Sequence, residues 1–173
     1  ANWADKAGHD HNATQATAFR QPEIRAGQLP ERPGLNLLRF DGNQSLAFPT
    51  ISQVRTGFWV AERGDGNNDY SAFFADSDSD TWGSHWGRRV IHGANGNIGN
   101  GLQRRDGENI DFNAANTFLG ELQVITLRAT DFVSADCIGK RGAGTYFTGK
   151  IGEILVYDRA LTDSEIRLVE RYL

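Results

Sequence analysis

The sequence contains no methionine, one cysteine, four prolines and no surplus of basic residues, and each shortage removes a class of answers. A single thiol, Cys137, cannot close an intramolecular bridge, and no Cys/His spacing matches a zinc site. Its strand-like setting beside Ile138 predicts a buried, inert thiol. Eighteen Lys and Arg against 22 Asp and Glu leave a formal net charge of −4. That balance supplies no basic field, so neither nucleic acid nor insertion into a membrane is expected. No apolar run has the length of a bilayer span, and no signal-peptide core is present. With no methionine and an alanine at position 1, the chain is expected to be a processed form or a piece of something longer. Secretion with the signal removed fits that expectation.

What is present points to β-structure in one domain. A chain of 173 residues is long enough to bury roughly 70% of its unfolded surface without staples. Twenty glycines and many Asn and Asp residues punctuate it at short intervals. The opening "NWADKAGHDHNATQATAFRQPEIR" is polar and poorly periodic, and reads as loop anchored by Trp3 and Phe19. Two apolar runs then flank Asp41-Gly42, a hairpin-type turn signal. "TGFWVAERG" is a buried strand candidate with Phe58, Trp59 and Val60, followed by the acidic loop "GDGNND" and the strand "YSAFFAD". Further strands are expected in "RRVIHG", "NIDFN", "LQVITLRAT", "TYFTG" and "GEILVYD". About ten to twelve short strands suit an antiparallel sandwich.

The ending differs in kind. Thr162 followed by Glu165 is a capping box, and Ile166, Val169 and Leu173 recur at helical steps, so a short helix closes the chain. Arg167, Glu170 and Arg171 are predicted to face water.

The segment "YFTGKIGEILVYDRALTDSEIRLVERYL" resembles the closing strand, connector and helix of laminin G-like domains in the concanavalin A-like lectin/glucanase superfamily. The opening is similar too, with a phrase of Trp, Asp, Lys, a small residue and Gly ahead of Arg39-Phe40-Asp41-Gly42. Both ends match, while about residues 50 to 130 match only in rhythm. The resemblance implies an all-β antiparallel jelly-roll sandwich over 1–173 with one short C-terminal helix. It also implies a further strand ahead of Trp3, beside the closing strand. Only Ala1 and Asn2 precede Trp3, which leaves an exposed sheet edge or one that a neighbouring chain covers.

Enzymes of this superfamily that cleave β-glucans carry Glu-x-Asp-x-(x)-Glu on a strand, with two carboxyl groups roughly 5 to 5.5 Å apart for retaining hydrolysis. That phrase is missing. Glu62 with Asp65 and Glu108 with Asp111 are spaced three apart, which on a strand sends them to opposite faces. Glu153 is assigned to hydrogen bonding between the closing strand and the helix. His9, His11, His85 and His92 form no nucleophile motif and read as solvated loop histidines. No catalytic residue is assigned.

Calcium is the one cofactor expected. Asp65, Asn67 and Asp69 alternate as in the first half of a calcium loop, and Asp76, Asp78 and Asp80 repeat the spacing. Related domains often hold one calcium ion near the rim of the sandwich. The alternative is a pair of Asx-turn loops. Sugar recognition needs an aromatic platform with amides and guanidinium groups around it. "DTWGSHWGRR" supplies Trp82 and Trp86 with His85, Arg88 and Arg89, and Asn95 and Asn97 follow, with Asn100 and Asn109 farther on. The competing reading puts one Trp in the core and makes the asparagines turn formers.

A non-catalytic binding or adhesion module is therefore expected, secreted or displayed on a cell or virion surface. It would recognise a glycan or a surface protein through loops at the sandwich edge. The alternative is a structural subunit of a virion or filament that assembles as a homo-oligomer. A glycoside hydrolase stands third.

Overall fold

A computed structural model describes residues 1–26, 35–64, 72–76, 96–111, 120–141 and 144–173. Within them the strands are β1 (Asn2–Trp3), β2 (Ala13–Thr14), β3 (Glu23–Arg25), β4 (Leu37–Asp41), β5 (Leu46–Arg63), β6 (Phe74–Ala75), β7 (Leu102–Arg105), β8 (Glu108–Asn109), β9 (Gln123–Ile138), β10 (Lys140–Arg141), β11 (Thr145–Tyr146) and β12 (Thr148–Tyr157). A 3-10 turn covers Ala18–Arg20, and the helices are α1 (Gly96–Gly99) and α2 (Asp163–Tyr172). Every pairing is antiparallel, and the main layer runs β3-β4-β12-β5-β9-β7-β8.

Two strands make a sandwich of this sheet. β5 and β9 are 18 and 16 residues long, and their register slips between Ala47 and Ile51, Ile51 and Val54, and Val54 and Thr56. Such bulges bend and twist a strand pair. Beyond the bend, β5 meets β2 at Ala47 and β9 meets β6 at Cys137 and Ile138. This second layer lies over the first. Trp59 packs on Phe73 and Phe74 with ring centroids 5.6 and 5.5 Å apart, and Phe48 stacks on Phe74. Between the layers Phe40, Trp59, Ile125, Leu127, Phe147 and Ile151 are buried. The fold is an all-β sandwich.

Alternation along 57–61 explains the two faces of the main layer. Trp59 and Ala61 enter this core, while Phe58 turns to the other face and joins Leu161 and Ile166. Gly57 sits on the Trp59 side, where a Cβ would overlap the indole ring. In β12 a strict alternation would send Ile151 and Glu153 the same way. The register instead passes from Ile151↔Ala61 to Glu153↔Val60, so Gly152 is an extra, bulged residue. Ile151, Ile154 and Val156 consequently share the core face, and Leu155 and Tyr157 point toward α2.

The capping box forms as predicted. Glu165 N–H donates to Thr162 Oγ1, the Glu165 carboxylate accepts from Thr162 N–H, and Ile166 is buried with Val169 and Leu173 beside it. Glu153 accepts a hydrogen bond from Tyr172 Oη at 3.0 Å, which is the strand-to-helix role expected of it. Cys137 is buried, and burial pushes its thiol well above the ordinary range, leaving a poor nucleophile.

Several expectations are corrected. Asp41-Gly42 is a turn but not a hairpin: β4 and β5 do not pair, because β12 lies between them and pairs with both. Phe19 is not anchored in the core: it is 67% exposed, with the Arg20 guanidinium over its ring. A single-turn α1 precedes β7. Glu170 does not face water, as described below. The closing strand is flanked by β5 over 149–157 and by β4 over 148–151. Along 153–157 no strand pairs with its β4 side among the described residues.

Candidate functional site

The site grows from a four-residue turn. β7 and β8 pair as Arg104↔Asn109 and Arg105↔Glu108, leaving Asp106 and Gly107 as a two-residue loop with φ of 48° and 83°. Both positive angles belong to a type I′ turn, which matches the twist of a hairpin and favours Asp-Gly. Asp106 fastens this turn to β9: Val124 N–H donates to Asp106 Oδ1 at 2.8 Å, and Asp106 N–H donates to Val124 O at 2.9 Å.

Arg104 projects from the hairpin toward α2. Its guanidinium donates to Glu170 through Nε at 2.8 Å and Nη2 at 3.0 Å, to Asn109 Oδ1 at 2.8 Å, and to Gly107 O. Glu170 also accepts from Thr126 Oγ1 at 2.8 Å. The pair is largely out of water, with 13% of the Arg104 side chain and 8% of the Glu170 side chain exposed. Hydrogen bonding to Glu170 raises the pKa of Arg104 further, so the guanidinium stays charged.

Between this pair, the turn and the last turns of α2 lies an open cleft of about 440 Å³, lined by Arg104, Asp106, Gly107, Val124, Arg167, Glu170 and Arg171. Arg171 Nε donates to Arg167 O at 3.1 Å, which orients that guanidinium. Neither Arg167 nor Arg171 makes an ion pair among the described residues. Asp163, one turn before Arg167, is taken by Arg128 at 2.7 Å, which holds its carboxyl below the usual range. Two like charges four residues apart on a helix repel by about 0.2–0.5 kcal/mol. The cleft thus carries two guanidinium groups that make no ion pair among the described residues and, besides the Glu170 carboxylate bound to Arg104, the carboxylate of Asp106.

Most of the residues nominated from sequence lie outside the described residues: Trp82, His85, Trp86, Arg88, Arg89 and Asn95 for sugar, and Asp65, Asn67, Asp69 and Asp78 for calcium. Asn97 is in α1, where its carbonyl accepts from Thr130 Oγ1 at 3.3 Å. Asp76 is buried and accepts a short hydrogen bond from Ser134 Oγ. Among the described residues no three His, Cys, Asp or Glu side chains gather as metal ligands. His9 and His11 are arranged by Asp5, whose carboxylate accepts from the N–H groups of Ala7, His9 and His11 and is held below its ordinary pKa chiefly by the Ala7 bond. Glu62 is paired with Lys150 at 2.9 Å.

Sequence reasoning missed Arg104, Asp106, Arg167 and Arg171. The available signals were the second Asp-Gly dipeptide, in "RRDGEN", and the i, i+4 arginine pair in the helix. No helix in the described residues is long and apolar enough to cross a membrane. No family model, no curated protein and no solved structure matches the chain.

Proposed function

We propose that this domain is a non-catalytic binding or adhesion module of a secreted or surface-displayed protein, recognising a glycan or a protein. The observation that carries the reading is the cleft between α2 and the β7–β8 hairpin, where, among the described residues, Arg167 and Arg171 make no ion pair beside the hydrogen-bonded Arg104–Glu170 pair. Guanidinium groups that make no ion pair keep planar donors available to a ligand, and the helix that carries them is fixed to the sheet by Ile166 and Glu170. The likeness of both chain ends to laminin G-like domains points the same way. Trp82, Trp86 and their neighbours would extend the contact, and Asp65, Asn67, Asp69, Asp76 and Asp78 would supply oxygen ligands to a calcium ion that supports it. Screening the purified domain on a mixed array of neutral and acidic glycans and surface-protein fragments tests it. Saturable binding that Arg167→Ala with Arg171→Ala weakens supports the reading, and silence across the array removes it.

A second reading, a building block of an assembly, is favoured by the β4 side of 153–157, which has no strand partner among the described residues. Unpaired strand edges accept strands from other chains. A monodisperse monomer at high concentration in light scattering would count against it.

A further inference from the structure

We infer that the helix–hairpin cleft binds the uronate units of an acidic polysaccharide, an assignment that rests on the binding-module reading and names its ligand class. Three features select this chemistry. First, Arg167 and Arg171 present guanidinium donors to one side of the cleft, and Arg171 is oriented by its bond to Arg167 O. Planar guanidinium groups pair with carboxylates through parallel hydrogen bonds. Second, the same cleft is lined by Asp106, whose Oδ1 accepts from Val124 N–H, so the carboxylate keeps a second oxygen as an acceptor. An acceptor beside two donors suits a ligand that carries both an anion and hydroxyl donors. A uronate ring has both. An acidic peptide side chain brings negative charge without neighbouring hydroxyls, and inorganic phosphate concentrates up to two charges on one small group with no ring to set against Val124, so Asp106 disfavours both more than a singly charged uronate ring. Third, Val124 is half-buried in the lining and Gly107 has no side chain over the opening. An apolar side chain next to bare backbone accommodates the C–H face of a pyranose ring. A net charge of −4 provides no long-range attraction for any polyanion, nucleic acid and polysaccharide alike, so recognition here is local.

The test is titration calorimetry of the whole chain at low salt with an alginate tetrasaccharide. The comparison ligands are its carboxyl-reduced form, inorganic phosphate and a short polyglutamate peptide. The expected result is saturable binding to the uronate, at least about tenfold weaker for each comparison ligand and for Arg167→Ala/Arg171→Ala. Asp106→Asn keeps an acceptor for Val124 N–H and is expected to weaken the uronate severalfold while leaving any residual phosphate binding unchanged or stronger. Melting curves of the variants establish that they are folded. Equal binding of the reduced tetrasaccharide, equal binding of polyglutamate, or full affinity in the double arginine variant would each overturn the inference. If neutral glycans bind and the double variant binds them normally, the ligand class is wrong while the binding-module reading stands. If no glycan and no protein on the array binds, both fall together.

Discussion

The two faces of the β4-β12-β5-β9-β7 layer are made by alternate residues of the same strands, yet they are held by different physics. On the Trp59 face, aromatic and aliphatic side chains meet face to face and edge to edge with little exposure. On the α2 face the buried apolar cluster among the described residues is Phe58, Leu161 and Ile166. The rest of the attachment is polar: Arg104 and Thr126 to Glu170, Arg128 to Leu161 O and Asp163, and Thr56 to Arg159 O and Leu161 N–H. Apolar burial is non-directional, so the Trp59 face serves stability. Directional bonds fix side chains at set angles, and beside them Arg167 and Arg171 line the cleft.

Breaking each face in turn sharpens the contrast. Trp59→Ala is expected to have the largest effect, destabilising the domain by about 3–5 kcal/mol in urea unfolding. A shift below about 1 kcal/mol would show that the two layers are not packed through this ring. Glu170→Gln removes the charge that Arg104 and Thr126 share, and is expected to lower stability by about 1.5–3 kcal/mol. Hydrogen exchange should then rise first in α2, with the Trp59 face still protected. Thr162→Ala takes away one half of the capping box and should cost about 1 kcal/mol, again read in α2.

Acid separates the faces without mutation. Glu165 is held at about 2 by the Arg159 guanidinium and by Thr162, against an ordinary value of 4.5. A depressed folded pKa means that the unfolded chain binds the proton first, so this contribution is complete above about 4.5 and fades as pH falls toward about 2. Asp5 shifts in the same direction through its backbone donors. Helix α2 and the 5–11 loop are therefore expected to loosen in that window, before tryptophan fluorescence reports loss of the main core. Simultaneous loss of all signals would contradict the division. The smallest effect on stability belongs to Arg167→Ala/Arg171→Ala, whose exposed side chains should change it by no more than about 0.5 kcal/mol.

Legibility in the sequence follows the same division. Phe58 and Trp59, the capping box and the stripe of Ile166, Val169 and Leu173 were readable because apolar periodicity reports burial directly. Glu170 was misplaced because a charged residue between apolar helical positions looks solvated, and its partner Arg104 lies 66 residues away. The two Asp-Gly dipeptides show a similar limit. At 106–107 the flanking strands pair with each other. At 41–42 the same signal joins strands that β12 separates, and local sequence carries no record of that inserted strand. The bulge at Gly152 was likewise invisible, although it decides which residues of "IGEILVY" meet the core. The arginine cleft went unnoticed since it is assembled from β7, the turn, β9 and α2, none of which is unusual alone.

The most direct measurement is a map of backbone amide resonances during titration with the alginate tetrasaccharide. The account predicts saturable shifts concentrated at 104–107, Val124 and 167–171, with the Trp59 face silent. Shifts confined to 65–97, around Trp82 and Trp86, would instead contradict the assignment of the site to the α2 face.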